Sequence, residues 1–237
     1  MRHRSLCSLL VLSCLLAAPR PARALDAELH PLASDEELVD LLEEVNTRLV
    51  RALPAAERAA LSRLTLSLSR RPGLFIETLA ARGALPGHVH LSASRALLRL
   101  IDQLALQEAT RTLPEESEAG SLSPFYVQLR LAALAGVVGH ALGHVLLGPE
   151  ERSLAAEERE QAADARFACA ATSAGLRHEG VLLWPRLLAT LEQQPELAPG
   201  LRQAGVQAML EQHPRAAQRA PLLARRLVAC SPPRPAR

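Results

Sequence analysis

The chain has 237 residues, with 27 basic and 25 acidic side chains, a formal net charge of +2 and 49% apolar residues. Its formally basic side chains are all arginine, and aromatic residues make up only 2%. The apolar fraction excludes a disordered or collagen-like chain, and the near-zero charge with few aromatic rings argues against a nucleic-acid binder. Abundant Ala, Leu, Arg and Glu favour one mainly helical domain.

The first 24 residues have the layout of a secretory signal peptide. A short basic start precedes an apolar run over residues 5–18, and Ala22 and Ala24 are small residues suited to cleavage after Ala24. We therefore expect an exported protein, periplasmic or secreted, because the run is short for a membrane span. The alternatives are an uncleaved anchor and a lipoprotein acylated at Cys14, which the apolar residues following that cysteine disfavour.

Loss of this segment would change both the charge and the cysteine count. It carries four arginines and no acid, so the remaining chain would have 23 basic and 25 acidic residues and a net charge of −2. Cys169 and Cys230 would be its two cysteines. In an exported protein they could form one disulfide, or they could be two buried thiols.

Sequence periodicity predicts both helices and strands in the first half of the chain. In chain order, the patterns indicate two helices, a strand, a segment ambiguous between strand and helix, a second strand, a helix and a polar loop. Their expected bounds are 35–53, 55–64, 64–69, 74–81, 88–92, 93–108 and 110–124. Ser34 followed by three acids predicts a capping box at the start of the first helix.

Residues 131–148 carry no formal charge and approach the length of a membrane-spanning helix. Four glycines and two histidines lower their hydrophobicity, so a buried central helix is favoured over a membrane span. Further helices are expected near 153–173, 180–193 and 200–212. A tail rich in Pro and Arg follows over 229–237, and we expect it to be disordered.

Two histidines on the apolar helix point to metal chemistry. His140 and His144 stand at i and i+4, so on a helix their imidazoles face the same side and can share one ion. A zinc ion held in this way needs a third ligand, and Glu160 on the following helix is a candidate. Asp164, four residues later, could accept a hydrogen bond from a ligand imidazole and fix its tautomer. The alternative is that both histidines are structural.

These residues resemble the zinc-binding core of gluzincin metallopeptidases, and specifically the M48 (Ste24/HtpX-like) family. The segment HALGH at 140–144 stands where that family has HExxH. The segment ALPGHVHL at 84–91 is similar to the family's ALPGG and following strand, and His213-Pro214 with Arg219 is similar to its HP turn and arginine. The resemblance spans roughly residues 60–225.

The resemblance implies an α+β, mainly α fold. Its expected parts are a zincin-like domain with a metal-site helix, a following ligand helix and a small β-sheet. The implied organisation is a signal peptide at 1–24, an N-terminal helical segment at 25–60, the zincin domain at 61–228 and the tail. The implied metal is Zn²⁺, bound by His140, His144 and Glu160, and His213 is a possible auxiliary residue.

The sequence departs from the family at the residue that performs the chemistry. The family's glutamate directly after the first histidine takes a proton from zinc-bound water, and here that position is Ala141. The resemblance therefore implies a zinc-binding protein with impaired catalysis, acting by binding peptides or proteins at the cell envelope. Whether Glu157 or Glu158 could serve as a substitute base stays open.

Three other functions are possible. The first is an active zinc metalloendopeptidase that uses another base, and the second is a helical scaffold protein without metal. The third is a membrane protein whose histidine pair binds haem or a metal.

The remaining special residues have simpler explanations. His88 and His90 share one face of a strand and are expected to be exposed edge residues. Arg215, Arg219 and two further C-terminal arginines are expected to lie on a solvated helix face.

Overall fold

The computed structural model describes residues 34–61, 63–71, 73–79, 88–112, 119–193 and 203–231. The expected signal peptide, Cys14, the turn at 84–87 and the tail beyond residue 231 lie outside the described residues. Within the described ranges the fold is α+β and mainly α, as predicted, with many helices and one small sheet.

The N-terminal helix and the sheet follow the predicted order. In chain order these elements are α1 (Asp35–Ala52), α2 (Ala55–Ala60), β1 (Arg63–Ser69), β2 (Ile76–Leu79), β3 (His88–Ser94) and α3 (Arg95–Thr112). The Ser34 side chain accepts the Glu37 amide at 3.1 Å, and Glu37 accepts the Ser34 amide at 3.0 Å, so the predicted capping box is confirmed. The ambiguous segment at 74–81 contains the strand β2.

The three strands form a sheet in the order β1-β3-β2, in which β3 lies in the middle. β1 runs parallel to β3, with Leu66 opposite Leu91, and β2 runs antiparallel to β3. The expectation that His90 is an exposed edge residue is therefore wrong. His90 lies on the central strand, and its ring nitrogens are 2.8 Å from the hydroxyls of Thr65 and Ser67 on β1.

The second half of the chain is helical. Its elements are α4 (Ala119–Leu146), α5 (Pro149–Arg152), α6 (Ala156–Ser173), α7 (His178–Val181), α8 (Leu183–Gln193), α9 (Gln203–Gln212) and α10 (Ala216–Ala229). The expected polar loop at 110–124 is shorter than predicted, because α3 continues to Thr112 and α4 begins at Ala119. Pro124 lies inside α4, near its start, where it removes one backbone hydrogen bond.

The helix α4 is the centre of the fold. It packs against α1, α3, α6 and α7, and its apolar residues share one core with Leu38 and Leu49 of α1. Among the described residues, Pro124–Leu146 is long and apolar enough to cross a membrane, but 78% of its most apolar window is buried inside the fold. Packing within the protein already accounts for the apolar character of this helix.

Two glycines on α4 allow α6 to approach closely. A Cβ atom at Gly143 would collide with the carbonyl oxygen of Ala163, and one at Gly139 would collide with the ring of Phe167. The small residues therefore bring the histidine-bearing face of α4 against the acidic face of α6.

A disulfide between Cys169 and Cys230 joins α6 to the end of α10, with the two Cα atoms 5.0 Å apart. Of the two states left open by the sequence, the pair is therefore oxidised in this structure. Because Ala229 ends α10 and Cys230 is cross-linked, the first residues of the expected tail belong to the fold.

Candidate metal centre

The two sequence-predicted histidines meet on the inner face of α4. His140 is buried, with 4% of its surface exposed, and His144 is half-buried one turn later. Their Nε2 atoms are 3.1 Å apart. Two basic nitrogens directed at each other at this distance can be bridged by one proton or can bind one metal ion.

Glu160 of α6 reaches both histidines. Its Oε1 lies 2.8 Å from Nε2 of His144, and its Oε2 lies 3.3 Å from Nε2 of His140. The side chain is buried, as expected for a group fixed between two packed helices. The two Nε2 atoms and the Glu160 carboxylate thus form a triangle, in which each histidine faces a different carboxylate oxygen.

The spacing of these groups is suitable for a metal ion. Tetrahedral zinc with bonds of about 2.0–2.1 Å places neighbouring ligand atoms about 3.3 Å apart. With one ligand atom from each side chain, the three atoms lie within 4.8 Å of one another. The two Nε2 atoms are 3.1 Å apart, and each lies close to a different oxygen of Glu160, at 3.3 Å for His140 and 2.8 Å for His144. Two imidazoles and a carboxylate are also the donor types that zinc prefers. His140, His144 and Glu160 could therefore hold a metal ion.

Asp164 lies one helical turn after Glu160 and contacts the other nitrogen of His140. Its Oδ1 is 2.8 Å from His140 Nδ1. A carboxylate at this place favours a proton on Nδ1 and leaves Nε2 directed at Glu160 and His144. The predicted contact between Asp164 and a ligand imidazole is present in the structure.

Arg219 of α10 completes the buried cluster, so the expectation that it lies on a solvated helix face is wrong. It is 4% exposed and binds both acids. Its Nη1 is 2.7 Å from Glu160 Oε2, and its Nε and Nη2 are 3.0 and 2.9 Å from Asp164 Oδ2. Two sequence features bear on Arg219. Its position after the HP turn predicts that it belongs to the site, and its position on a C-terminal helix with other arginines predicts a solvated face. The structure agrees with the first feature.

His213 approaches the cluster from the turn between α9 and α10. Its Nδ1 lies 3.0 Å from Glu160 Oε2, and the edge of the Trp184 ring packs against it, with ring centroids 6.1 Å apart. The turn is fixed by Arg215, which has a positive φ of 55° and an ion pair of 2.7 Å with Glu157. A left-handed backbone at a non-glycine residue is strained and persists only when its surroundings hold it there.

Charge decides the protonation of the cluster. The carboxylates of Glu160 and Asp164 face one guanidinium group, that of Arg219. While the histidines are neutral, the buried site therefore carries one uncompensated negative charge. Burial alone would lower the pKa of His140, but its hydrogen bonds to the carboxylates of Asp164 and Glu160 outweigh burial and raise that pKa to about 9. Burial would raise the pKa of Glu160, yet hydrogen bonds from three histidines hold it far below its usual range.

His213 behaves differently from His140. Burial is the largest influence and lowers its pKa, and the positive charges of His140 and Arg219 act in the same direction, against the attraction of Glu160. The cluster therefore concentrates its extra proton on His140. A divalent metal ion would supply positive charge at the same place, because His140 Nε2 belongs to the ligand triangle.

Ala141 occupies the position after the first histidine and is 5% exposed. Its methyl group belongs to the apolar core and can neither accept nor donate a proton. Glu157, one of the two acids considered as a substitute base, is bound by Arg215 instead. Glu158 is exposed, and no described contact joins it to the cluster.

The other histidines lie apart from the cluster. His90 is bound by two hydroxyls of β1, and His178 Nε2 lies 3.2 Å from the Thr172 hydroxyl. The His88 side chain and His30 lie outside the described part of the structure.

Comparisons with protein-family models, with curated proteins and with solved structures give no match for this chain, so the cluster itself carries the functional argument.

Proposed function

We propose that the protein is an exported, M48-like zinc-binding protein with little or no peptidase activity, which binds peptides or partner proteins at the cell envelope. The observation that carries the proposal is the ligand triangle of His140, His144 and Glu160, which stands beside an alanine at the position of the general base.

Each residue of the cluster has a role in this proposal. His140, His144 and Glu160 hold the metal, and Asp164 orients the His140 ring through Nδ1. Arg219 neutralises the acids, which would otherwise repel each other in a buried site. Bound zinc would polarise a carbonyl group and acidify a water molecule.

Impaired catalysis follows from the missing proton acceptor. A positioned general base contributes about 10²–10⁴-fold to rate, and Ala141 cannot supply it. Glu160 cannot take this role while it is a ligand, and its depressed pKa makes it a poor proton acceptor. A site that binds metal and cannot move the proton is suited to recognition of a peptide without cleavage.

Export is supported by the disulfide. The pairing of Cys169 with Cys230 is compatible with an oxidising compartment, and it agrees with the signal-like first 24 residues.

Metal analysis of the purified protein tests the proposal. After zinc loading and dialysis, we expect about one zinc per chain in the wild type and in Glu158→Gln, whose carboxylate is exposed on the same helix as Glu160. Zinc should be lost in Glu160→Gln. Because that change leaves Arg219 without one of its acids, circular dichroism must show that the variant is folded. Absence of zinc from the wild type would instead favour a scaffold with structural histidines.

A peptidase assay separates the proposed binding protein from an active enzyme. With a mixture of unstructured protein substrates, we expect wild-type turnover no higher than that of His144→Ala. Turnover in the wild type that His144→Ala abolishes would overturn the proposal. The protein would then be an active peptidase whose general base is not at position 141.

A further inference from the structure

A groove of about 360 Å³ lies between α6 and α10, beside the metal cluster. Asp164 and Arg219 line it as well as belonging to the cluster. Along its walls, α10 contributes two more arginines, Arg225 and Arg226, and α6 contributes Gln161. The groove is open to solvent, and none of His140, His144 and Glu160 lines it.

The groove carries unbalanced positive charge. Arg225 and Arg226 are both exposed, and no ion pair or hydrogen bond of their side chains occurs within the described ranges. This differs from several other arginines, among them Arg166, which binds Glu57 and Glu151. The acid that lines the groove, Asp164, is already matched by Arg219. Two guanidinium groups therefore remain available to an anion.

Apolar side chains lie beside these arginines. Leu222 lines the groove and is 43% exposed. Leu223, Ala165 and Ala229 extend the apolar wall. A single exposed leucine is ordinary, but this one lines the same groove as Arg225 and Arg226. The lining thus combines a site for an anion with a site for an apolar group.

We propose that this groove binds the carboxyl-terminal end of a peptide whose last side chain is apolar. Arg225 and Arg226 receive the terminal carboxylate, since guanidinium groups bind carboxylates with two parallel hydrogen bonds. The last side chain packs on Leu222. Gln161, whose amide nitrogen donates to Glu157 Oε1 at 3.4 Å, offers its amide oxygen to a backbone N–H group of the peptide. An open groove suits this ligand better than a fatty acid, whose long chain needs an enclosed cavity. The site does not require bound metal.

Fluorescence anisotropy with a matched pair of peptides tests the proposal. The two labelled peptides have the same short sequence ending in Ala-Leu, one with a free carboxylate and one with a terminal amide. We expect the free acid to bind. The amide should bind at least about tenfold more weakly, because a charge-assisted contact is lost. Added salt should weaken binding of the free-acid peptide more than binding of the amide peptide, because salt screens the contact between carboxylate and guanidinium groups.

Variants of exposed arginines give the matched control. Arg225→Gln combined with Arg226→Gln should reduce binding of the free acid by about tenfold or more. Arg51→Gln combined with Arg186→Gln removes the same charge from exposed positions on α1 and α8 and should leave binding unchanged. Because all four side chains are exposed, both proteins are expected to fold.

Three results would overturn the proposal. Equal affinity for acid and amide would show that the terminal carboxylate is not recognised. An equal loss of affinity in both double variants would show that overall positive charge, and not the groove, binds the peptide. Binding of dodecanoate at the groove, with no binding of the peptide, would assign the site to an acyl chain. Chelator-treated wild-type protein should bind the peptide like the zinc-loaded protein, so failure of zinc binding and failure of this proposal are distinguishable.

Discussion

The two ends of α4 both bury polar groups, but the groups are arranged differently. Near its start, the Tyr126 hydroxyl donates to the buried Asp102 of α3 at 2.5 Å. Near its end, His140 and His144 face each other and the acids of α6. The first arrangement joins a donor to an acceptor. The second brings together several groups that all offer lone pairs to the same point.

The pKa shifts of Tyr126 and His140 reflect this difference in arrangement. Burial and the hydrogen bond to Asp102 raise the pKa of Tyr126 above its usual value, so its hydroxyl keeps its proton and stays a donor. At the other end, the raised pKa of His140 signals a negative site that attracts an extra positive charge. Burial of polar groups alone therefore does not identify a functional site. Convergence of lone pairs on one point is the feature that sets the His140 end apart, because such a group could hold a metal ion.

The largest expected effect is on zinc binding at the histidine end. His144→Ala removes one corner of the ligand triangle and should weaken zinc binding more than about 100-fold, beyond what loss of a supporting contact causes. His144 is half-buried, so the variant is expected to fold. Competition with a chromogenic chelator measures the affinity. His178→Ala, which changes a histidine away from the cluster, should bind zinc like the wild type.

The second prediction concerns pH and the metal-free protein. The pKa of His140 is raised to about 9, compared with about 6.5 for an unperturbed histidine. The folded-state value lies above the unfolded one, so the proton on His140 stabilises the fold fully below about pH 6.5. This contribution, on the order of 3 kcal/mol, should disappear as the pH rises through about 9.

Urea unfolding of chelator-treated protein between about pH 6 and pH 9.5 measures this loss. The zinc-loaded protein should lose less, because the metal replaces the proton on the same nitrogen. In Tyr126→Phe, the free energy of unfolding should depend on pH as it does in the wild type, because this substitution changes the other end of α4. A metal-free stability that stays constant or rises over this range would contradict the protonation of His140.

Local spacing explains which parts of the site could be predicted from the sequence. His140 with His144, and Glu160 with Asp164, each stand at i and i+4, and helical geometry alone places each pair on one face. The structure brings the two faces together, and small residues such as Gly143 permit the close contact. Metal binding and the identity of the metal both stay predictions.

The parts that sequence reasoning missed depend on tertiary packing. Arg219 is buried while Arg225 and Arg226 are exposed on the same helix, although Arg226 stands seven residues after Arg219 and therefore on nearly the same face. Composition and spacing give no sign of which arginine the fold buries. Strand order is equally non-local, so the central position of β3, and with it the partners of His90, could not be read from an alternating pattern. The signal peptide remains a prediction because it lies outside the described residues.

The third prediction tests whether Asp164 acts on the metal through His140. Asp164→Asn keeps the shape of the side chain but removes the charge that holds the imidazole, and should weaken zinc binding about 10–100-fold. Asp102→Asn makes the same change at the other end of α4 and should leave the zinc affinity as it is. Equal affinities in the two variants would mean that the contact with His140 Nδ1 does not support metal binding.

The smallest expected effect is on stability at the Tyr126 end. Tyr126→Phe removes the hydroxyl that donates to Asp102 and leaves a buried carboxylate short of one donor, so the free energy of unfolding should fall by about 1.5 kcal/mol. Urea unfolding measures the change, and chelator competition on the same protein should give the wild-type zinc affinity. A lower zinc affinity in Tyr126→Phe would show that the two ends of α4 are coupled. Since the two clusters share no residue and lie at opposite ends of a 28-residue helix, we expect the two effects to be independent.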